Sequence, residues 1–264
     1  MTSPPVFWAS KCGSAKLLRC SALEPVGVPW NSVMTVFADP PYFLSGKGST
    51  CSAGQRTTVD KGKWDRPTTP EEMHEFNLRW LAAAQMIMHP NGSIIVSGTM
   101  HSIHSVGFAM QSLGFRRLND ITWEKPNPPP NLGCRCLTHS TEVLLWSART
   151  AKARHYFDYQ AMREENDGKQ LKDVWSFTAP GKAERSHGRH PTQKPLDLLR
   201  RALRMAAPPG SLVLDPFTGS GTTGVAAIEL GLGFVGLEID ERYLDLASRR
   251  ISAALAARAQ AADK

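Results

Sequence analysis

The stretch SLVLDPFTGSGTTG at residues 211–224 constrains this chain more than any other. Ser211–Leu214 is a short apolar run of strand type. It enters the turn Asp215–Gly221, which opens a helix over Thr222–Leu230. A strand that passes through a glycine turn into a helix is part of a βαβ unit, and such units build sheets covered by helices. The glycines let the backbone approach a ligand closely, and the first helical turn presents N–H groups that no intrahelical carbonyl takes. In sheets of this kind ligands bind beyond the carboxyl ends of the strands, where this turn lies.

The alternation continues along the chain. Ser32–Ala38 (SVMTVFA) reads as a second buried strand and runs directly into Asp39-Pro40-Pro41-Tyr42. Further strands are predicted at Ala15–Arg19, Asn119–Trp123, Thr141–Trp146 and Phe234–Leu237, and at Ser93–Ser97 after an Asn91-Gly92 turn. Helices are predicted at Pro70–Met88 with Thr69 as N-cap, at Ile103–Leu113, at Pro195–Ala206 with Pro195 in the first turn, and at Glu241–Ala257. Trp123, Trp146 and Trp175 read as core or loop anchors, and residues 1–14 as peripheral. The pattern predicts one α/β domain over 1–264 with a mainly parallel sheet. Residues 43–66, rich in Gly, Ser, Thr and Lys, read as a mobile loop, because long polar loops inside compact domains are commonly functional.

Charge and cysteine usage narrow the class. The net charge of +7 suits a polyanionic partner, since neutralised phosphates release counterions. The five cysteines are odd in number and lack a C-x-x-C pair, so neither a disulfide framework nor a zinc site is expected. Free thiols fit a reducing cytoplasm. His101 and His104 have no third ligand nearby and read as capping or surface groups, so no metal is expected. No apolar run reaches the length of a signal-peptide core or a membrane span, and no membrane association is expected.

The glycine turn by itself leaves its ligand open. Gly219-Ser220-Gly221-Thr222-Thr223-Gly224 fits G-x-G-x-x-G, and Glu238, at the end of the next strand, stands where a carboxylate would bind ribose hydroxyls. Both NAD and S-adenosylmethionine satisfy that pattern.

The Asp39–Tyr42 segment adds a different chemistry. An exocyclic amino nitrogen of a base is a poor nucleophile, because its lone pair is delocalised into the ring. A carboxylate from Asp39 and the carbonyl of Pro40, each accepting one N–H, would pull that nitrogen towards tetrahedral geometry. Pro40 and Pro41 stiffen the backbone that holds the two acceptors. Tyr42 offers a ring for stacking on a base extruded from the duplex. Carbon-directed cytosine transfer would need a cysteine nucleophile, typically after proline, and none of the five cysteines follows one.

With ADPPY at 38–42, HPTQKP at 190–195, DPFTGSGTT at 215–223 and FVGLEID at 234–240, the chain resembles the amino-group DNA methyltransferases of the β class over roughly residues 15–256. The resemblance implies a Rossmann-like S-adenosylmethionine-dependent fold. Its sheet would have seven strands, mainly parallel with an antiparallel hairpin, and its motif order would be circularly permuted. It implies direct in-line transfer to adenine N6 in double-stranded DNA, with cytosine N4 as the alternative and NAD-dependent oxidation a more distant one. RNA as substrate and a non-enzymatic DNA-binding module complete the alternatives. Asp39, Pro40, Pro41 and Tyr42 would form the catalytic segment. Asp215, Phe217, Thr218, Gly219, Ser220, Gly221, Thr222 and Glu238 would bind the cofactor, and Thr192 and Lys194 would meet its methionine carboxylate. DNA contacts are expected from Lys47, Arg56, Lys61 and Lys63 in the 43–66 loop. A recognition region over 126–190 would add Arg135 and Arg185. A cognate restriction endonuclease is a partner such enzymes can have, and both monomer and homodimer fit.

Overall fold

A computed structural model describes residues 6–23, 27–44, 49–52, 55–58, 65–66 and 68–262. The strands in chain order are β1 (Val6–Ala9), β2 (Ala15–Arg19), β3 (Val33–Ala38), β4 (Ser49–Ser52), β5 (Gln55–Thr58), β6 (Met88–Gly98), β7 (Arg116–Glu124), β8 (Thr141–Ala148), β9 (Val174–Ser176), β10 (Leu212–Asp215) and β11 (Gly233–Glu238). The helices are α1 (Pro70–Ile87), α2 (Ile103–Ser112), α3 (Tyr159–Glu164), α4 (Leu196–Ala206), α5 (Thr222–Glu229) and α6 (Glu241–Ala262).

Nine strands form one sheet in the order β1-β2-β11-β10-β3-β6-β8-β7-β9. From β2 to β6 every neighbouring pair is parallel. β8 runs antiparallel to both β6 and β7, which is the expected hairpin. These seven strands are the anticipated sheet. It is extended at one edge by β1, antiparallel to β2, and at the other by β9, parallel to β7. The sequence did not announce either edge strand, because both are short and lie in segments without periodic pattern.

Consecutive residues of the central strands serve opposite faces. Leu17, Phe37, Ile95, Val213 and Phe234 pack with α4, α5 and α6 residues such as Leu199, Ala226 and Ile251. Their neighbours Leu18, Val36, Ile94, Leu214 and Val235 pack with α1 and α2 residues such as Trp80, Leu81 and Val106. A parallel sheet covered on both sides needs apolar residues at successive positions, which is why these strands read as continuous apolar runs. Trp123, Trp146 and Trp175 are all buried in the first of these cores.

Local signals hold at α1, where Thr69 and Glu72 form a reciprocal capping box. Pro195 is the N-cap of α4, extended at ψ 138°, one residue ahead of the helix it was expected to start. Strand β6 spans Asn91-Gly92, but its register against β3 breaks there: Met88 pairs with Val33 and Ser93 already with Thr35, so the chain makes its excursion where the turn was expected. Gly92 also permits close approach, for a Cβ there would lie 3.0 Å from the carbonyl oxygens of both His89 and Val33. The 43–66 segment contains the antiparallel hairpin β4–β5 rather than loop alone, and α3 lies within 126–190, where no helix was predicted. Among the described residues no helix is long and apolar enough to cross a membrane, and no group of three His, Cys, Asp or Glu could hold a metal ion.

Candidate active site

β10 and β3 lie side by side and parallel, pairing Val213 with Thr35 and Leu214 with Val36. Their carboxyl ends therefore deliver Asp215 and Asp39 to adjacent points at one edge of the sheet, although one strand lies early and the other late in the chain.

The glycine turn beyond β10 is braced from within. Asp215 Oδ1 accepts the Phe217 N–H at 2.9 Å, and Oδ2 accepts the Thr223 hydroxyl at 2.6 Å. Burial pushes the Asp215 carboxyl up to about 7, although both of these donors favour its charged form. Gly219 and Gly221 adopt φ of +49° and +75°. A Cβ at Gly221 would lie 2.8 Å from Ala247 Cβ, so the turn is pressed directly onto α6. From α6 the buried Arg250 donates to the Ser220 carbonyl and to the Thr222 hydroxyl, both at 2.8 Å. At the end of β11, Glu238 Oε2 accepts the Gly219 N–H at 3.0 Å, while Oε1 accepts those of Ile239 and Asp240 at 2.8 and 2.9 Å. Burial raises the Glu238 pKa even so.

The turn beyond β3 is pinned by a residue that the sequence hid. The fully buried Asp65 accepts the N–H groups of Tyr42 and Phe43 on Oδ1 at 2.9 and 2.7 Å, and that of Leu44 on Oδ2 at 3.2 Å. Phe43 sits at φ +58°, a left-handed conformation that these bonds stabilise. An aspartate among the glycines and lysines of 43–66 reads as a solvated loop residue, so composition gave no sign of this role.

The two turns face one cleft of about 210 Å³, lined among others by Asp39, His190, Thr192, Phe217, Gly219 and Glu238. A smaller adjoining hollow shares Asp39, His190, Thr192, Phe217 and Gly219 with it, and adds Lys194, Asp215, Thr218, Ser220 and Thr222. Trp80 holds the Phe217 ring edge-on at 5.2 Å. His190 packs against Tyr243 with ring centres 4.3 Å apart, and its Nδ1 accepts the Thr192 N–H at 3.3 Å. Burial, then the nearby Lys194 and Arg250 charges, lower its pKa to about 4, so His190 is neutral at pH 7.

Two carboxylates and a glycine turn around one hollow, with an Asp-Pro-Pro-Tyr segment at the neighbouring strand tip, is the arrangement of a group-transfer site beside a nucleotide-type pocket. Residues 33–249 match the DNA methylase family. Over 223 residues the chain is 50% identical to the type II methyltransferase M2.DpnII of Streptococcus pneumoniae, covering 84% of this chain and 83% of that one. The chain belongs to the DNA methylase family, of the N6/N4 amino-methyltransferase type. It is also 44% identical over 220 residues to the type II methyltransferase M2.MboI of Moraxella bovis, covering 83% and 81% of the two chains. Among solved structures, the PvuII DNA methyltransferase, described as cytosine-N4-specific, matches with a TM-score of 0.72 at 18% identity over 94% of this chain and 89% of that one. The M1.HpyAVI–SAM complex matches with a TM-score of 0.67 at 24% identity over 90% and 98%. These two share the fold.

In this methylase two of the expected site residues stand differently from what the motifs suggested. Tyr42 is 6% exposed, and its hydroxyl donates to Asp39 Oδ1 at 2.6 Å. The Lys194 ammonium lies 5.4 Å from the Tyr42 ring centre. The ring is thus covered rather than open for stacking. Lys194, expected at a cofactor carboxylate, donates to Asp39 Oδ2 at 2.6 Å. The sequence also missed Glu142 on β8. This buried carboxylate accepts from Lys125 Nζ at 2.5 Å and lies 3.5 Å from Lys194 Nζ. The alternation of β8 could have flagged Glu142, since a charge at an inward position of a buried strand needs a partner.

Of the basic residues expected at DNA, Arg135 and Arg185 are exposed, the first in the β7–β8 connection and the second in a short 3-10 turn, Ala183–Arg185. Lys47, Lys61 and Lys63 lie outside the described residues. Arg56 is placed on β5 by its backbone.

Proposed function

We propose that this methylase transfers the methyl group of S-adenosylmethionine to adenine N6 of double-stranded DNA, with the target base turned out of the helix. The observation that carries this reading is the shared cleft, which Asp39, the amine acceptor, lines together with Gly219 and Glu238. The donor set suits S-adenosylmethionine. Glu238 supplies a carboxylate for ribose hydroxyls, Phe217 a held aromatic face, and the Gly219 backbone an approach that a side chain would block, since a Cβ there would meet His190 Nε2 at 3.0 Å. Thr192, at the rim, is placed for the methionine end.

When bound, the cofactor supplies a sulfonium methyl that is already activated. The protein's task is then alignment and preparation of the nucleophile. Asp39 and the Pro40 carbonyl would accept hydrogen bonds from the two amino N–H groups, which frees the nitrogen lone pair for in-line attack; the one proton the methylated nitrogen must then shed can leave through Asp39. Stacking of the base on Tyr42 belongs to this reading and requires the ring, covered here by Lys194, to be uncovered as the base enters. Arg135, Arg185, Arg56 and the lysines of 43–66 would carry the phosphate contacts, and a restriction endonuclease of matching specificity fits the type II naming of the relatives.

Cytosine N4 presents the same amine geometry, and the PvuII neighbour is described as specific for it. The test is to incubate duplex DNA, single-stranded DNA and RNA with the protein and methyl-labelled S-adenosylmethionine, and then to identify the labelled nucleoside by mass spectrometry. N6-methyladenine from duplex DNA is expected. Label found only in N4-methylcytosine, or only in RNA, overturns the assignment.

A further inference from the structure

We infer that Glu142 is a positioning residue which, through Lys194 and the Tyr42 hydroxyl, frees Asp39 to bind the target amine, and that Lys194 serves this amine-binding half of the site rather than the cofactor. The inference rests on the methyl-transfer reading above.

Four charges alternate in sign in a row that starts from Asp39 at the cleft. Lys194 Nζ lies 2.6 Å from Asp39 Oδ2 and 3.5 Å from Glu142 Oε2. Lys125 Nζ lies 2.5 Å from Glu142 Oε1. The Tyr42 hydroxyl, 2.6 Å from Asp39 Oδ1, is also 3.3 Å from Glu142 Oε2 and 3.2 Å from Ser97 Oγ. The side chains of Lys194, Glu142 and Asp39 are only 7%, 10% and 16% exposed, so water does little to replace a lost partner.

Asp39 therefore has a donor on each oxygen before any substrate arrives. An amine N–H can still use a remaining lone pair, but it competes with the donor already on that oxygen, and a buried ammonium or hydroxyl whose acceptor weakens is penalised. Glu142 removes that penalty. It stands within reach of both donors, so each can shift its weight from Asp39 to Glu142 as the amine engages. Lys125 holds Glu142 from its other oxygen and keeps it in place.

The charges fit this account. Burial pushes the Glu142 pKa up, but the Lys194 and Lys125 ammoniums outweigh it and hold the group below the ordinary carboxylate range. Burial likewise works against the Lys194 ammonium, yet Asp39 and Glu142 raise its pKa above the ordinary value. Among the described residues Asp39, Tyr42 and Lys125 are the titratable groups in contact with Glu142 and Lys194, and His190 lies near enough for the Lys194 charge to lower its pKa.

The test uses the full chain with Glu142→Gln, Lys194→Gln and Lys125→Met, and reads cofactor affinity by calorimetry beside kcat and its pH profile. For Glu142→Gln the cofactor Kd is expected to stay unchanged while kcat falls by about a hundredfold, the scale of a misaligned reacting group. Glu142→Asp should recover part of that loss. For Lys194→Gln the cofactor Kd should also hold. The acid limb of the kcat profile should move to higher pH, because two buried carboxylates without the ammonium between them compete for a proton. Lys125→Met, which leaves Asp39 and Lys194 in place, should lower kcat in the same direction by a smaller factor, and it serves if Glu142→Gln does not fold. A Lys194→Gln protein with a Kd weakened about tenfold and an unmoved pH profile would assign the ammonium to the cofactor and overturn the inference. So would wild-type kcat in Glu142→Gln, or in Lys125→Met should Glu142→Gln not fold. A wild-type protein that methylates no amino group would overturn the functional reading instead, while calorimetry still decides the place of Lys194.

Discussion

The backbone N–H of Gly219 donates to Glu238 Oε2 at 3.0 Å, joining the glycine turn after β10 to the tip of β11. One carboxylate thereby closes the turn and faces the cleft in which the ribose would lie. Glu238→Gln keeps an oxygen for Gly219 and loses the charge. Calorimetry on this variant should show S-adenosylmethionine binding weakened by roughly ten- to a hundredfold, the range of a hydrogen bond to a charged group. Unaltered affinity would remove Glu238 from the cofactor site.

Asp39→Ala should lower methyl transfer by roughly a thousandfold, since a preorganised group at the reacting nitrogen is lost. Cofactor affinity should be retained, because Glu238, Phe217 and Gly219 are untouched. Transfer assays on purified protein decide this. Substantial residual activity would show that another group binds the amine.

Gly221→Ala should destabilise the fold by at least about 1–2 kcal/mol, the penalty of a left-handed conformation for an L-residue. Overlap with Ala247, 2.8 Å from the new Cβ, adds to it. Urea unfolding measures the change, and an unshifted midpoint would contradict the packing of the turn on α6.

The pH dependence of stability should show two opposing contributions. The Asp215 carboxyl is raised by burial from 3.8 to about 7. Its favourable contribution is complete below 3.8 and is lost as pH rises through about 7. His190 is lowered from 6.5 to about 4, chiefly by burial, so its contribution is complete above 6.5 and is lost as pH falls through about 4. Between these limits each group changes stability by up to about 1.4 kcal/mol per pH unit, in opposite directions. Asp215→Asn should therefore gain on the wild type as pH rises from 4 to 7, and His190→Gln should gain on it as pH falls over the same range, whatever the absolute stability of either variant. Parallel curves for all three proteins would refute both assignments.

Much of the site was legible because its residues are contiguous. Asp39–Tyr42 and Asp215–Thr223 each follow an apolar run, and a strand that stops at a carboxylate before proline or glycine announces a turn at the sheet's carboxyl edge. The N-cap at Thr69 was legible for the same reason, since Thr69 and Glu72 satisfy one another within three residues. Asp65, Glu142 and Lys125 were not, because each acts on a partner from another element. Gly92 was legible only in part: its place at a break in the β3–β6 register followed from residue type, its closeness to the β3 backbone did not.

Local chain chemistry alone thus determined the alternation of strands and helices, the glycine turn, the acidic strand ends and the Asp-Pro-Pro-Tyr segment, for each depends on neighbours a few residues away. Only the tertiary structure decided that Lys194 would face Asp39, that Glu142 would stand behind both, and that Tyr42 would be covered by the same ammonium. Buried charges choose partners by distance and desolvation in three dimensions, and in this protein those partners come from the turn after β3, β8, the residue after β7 and the approach to α4.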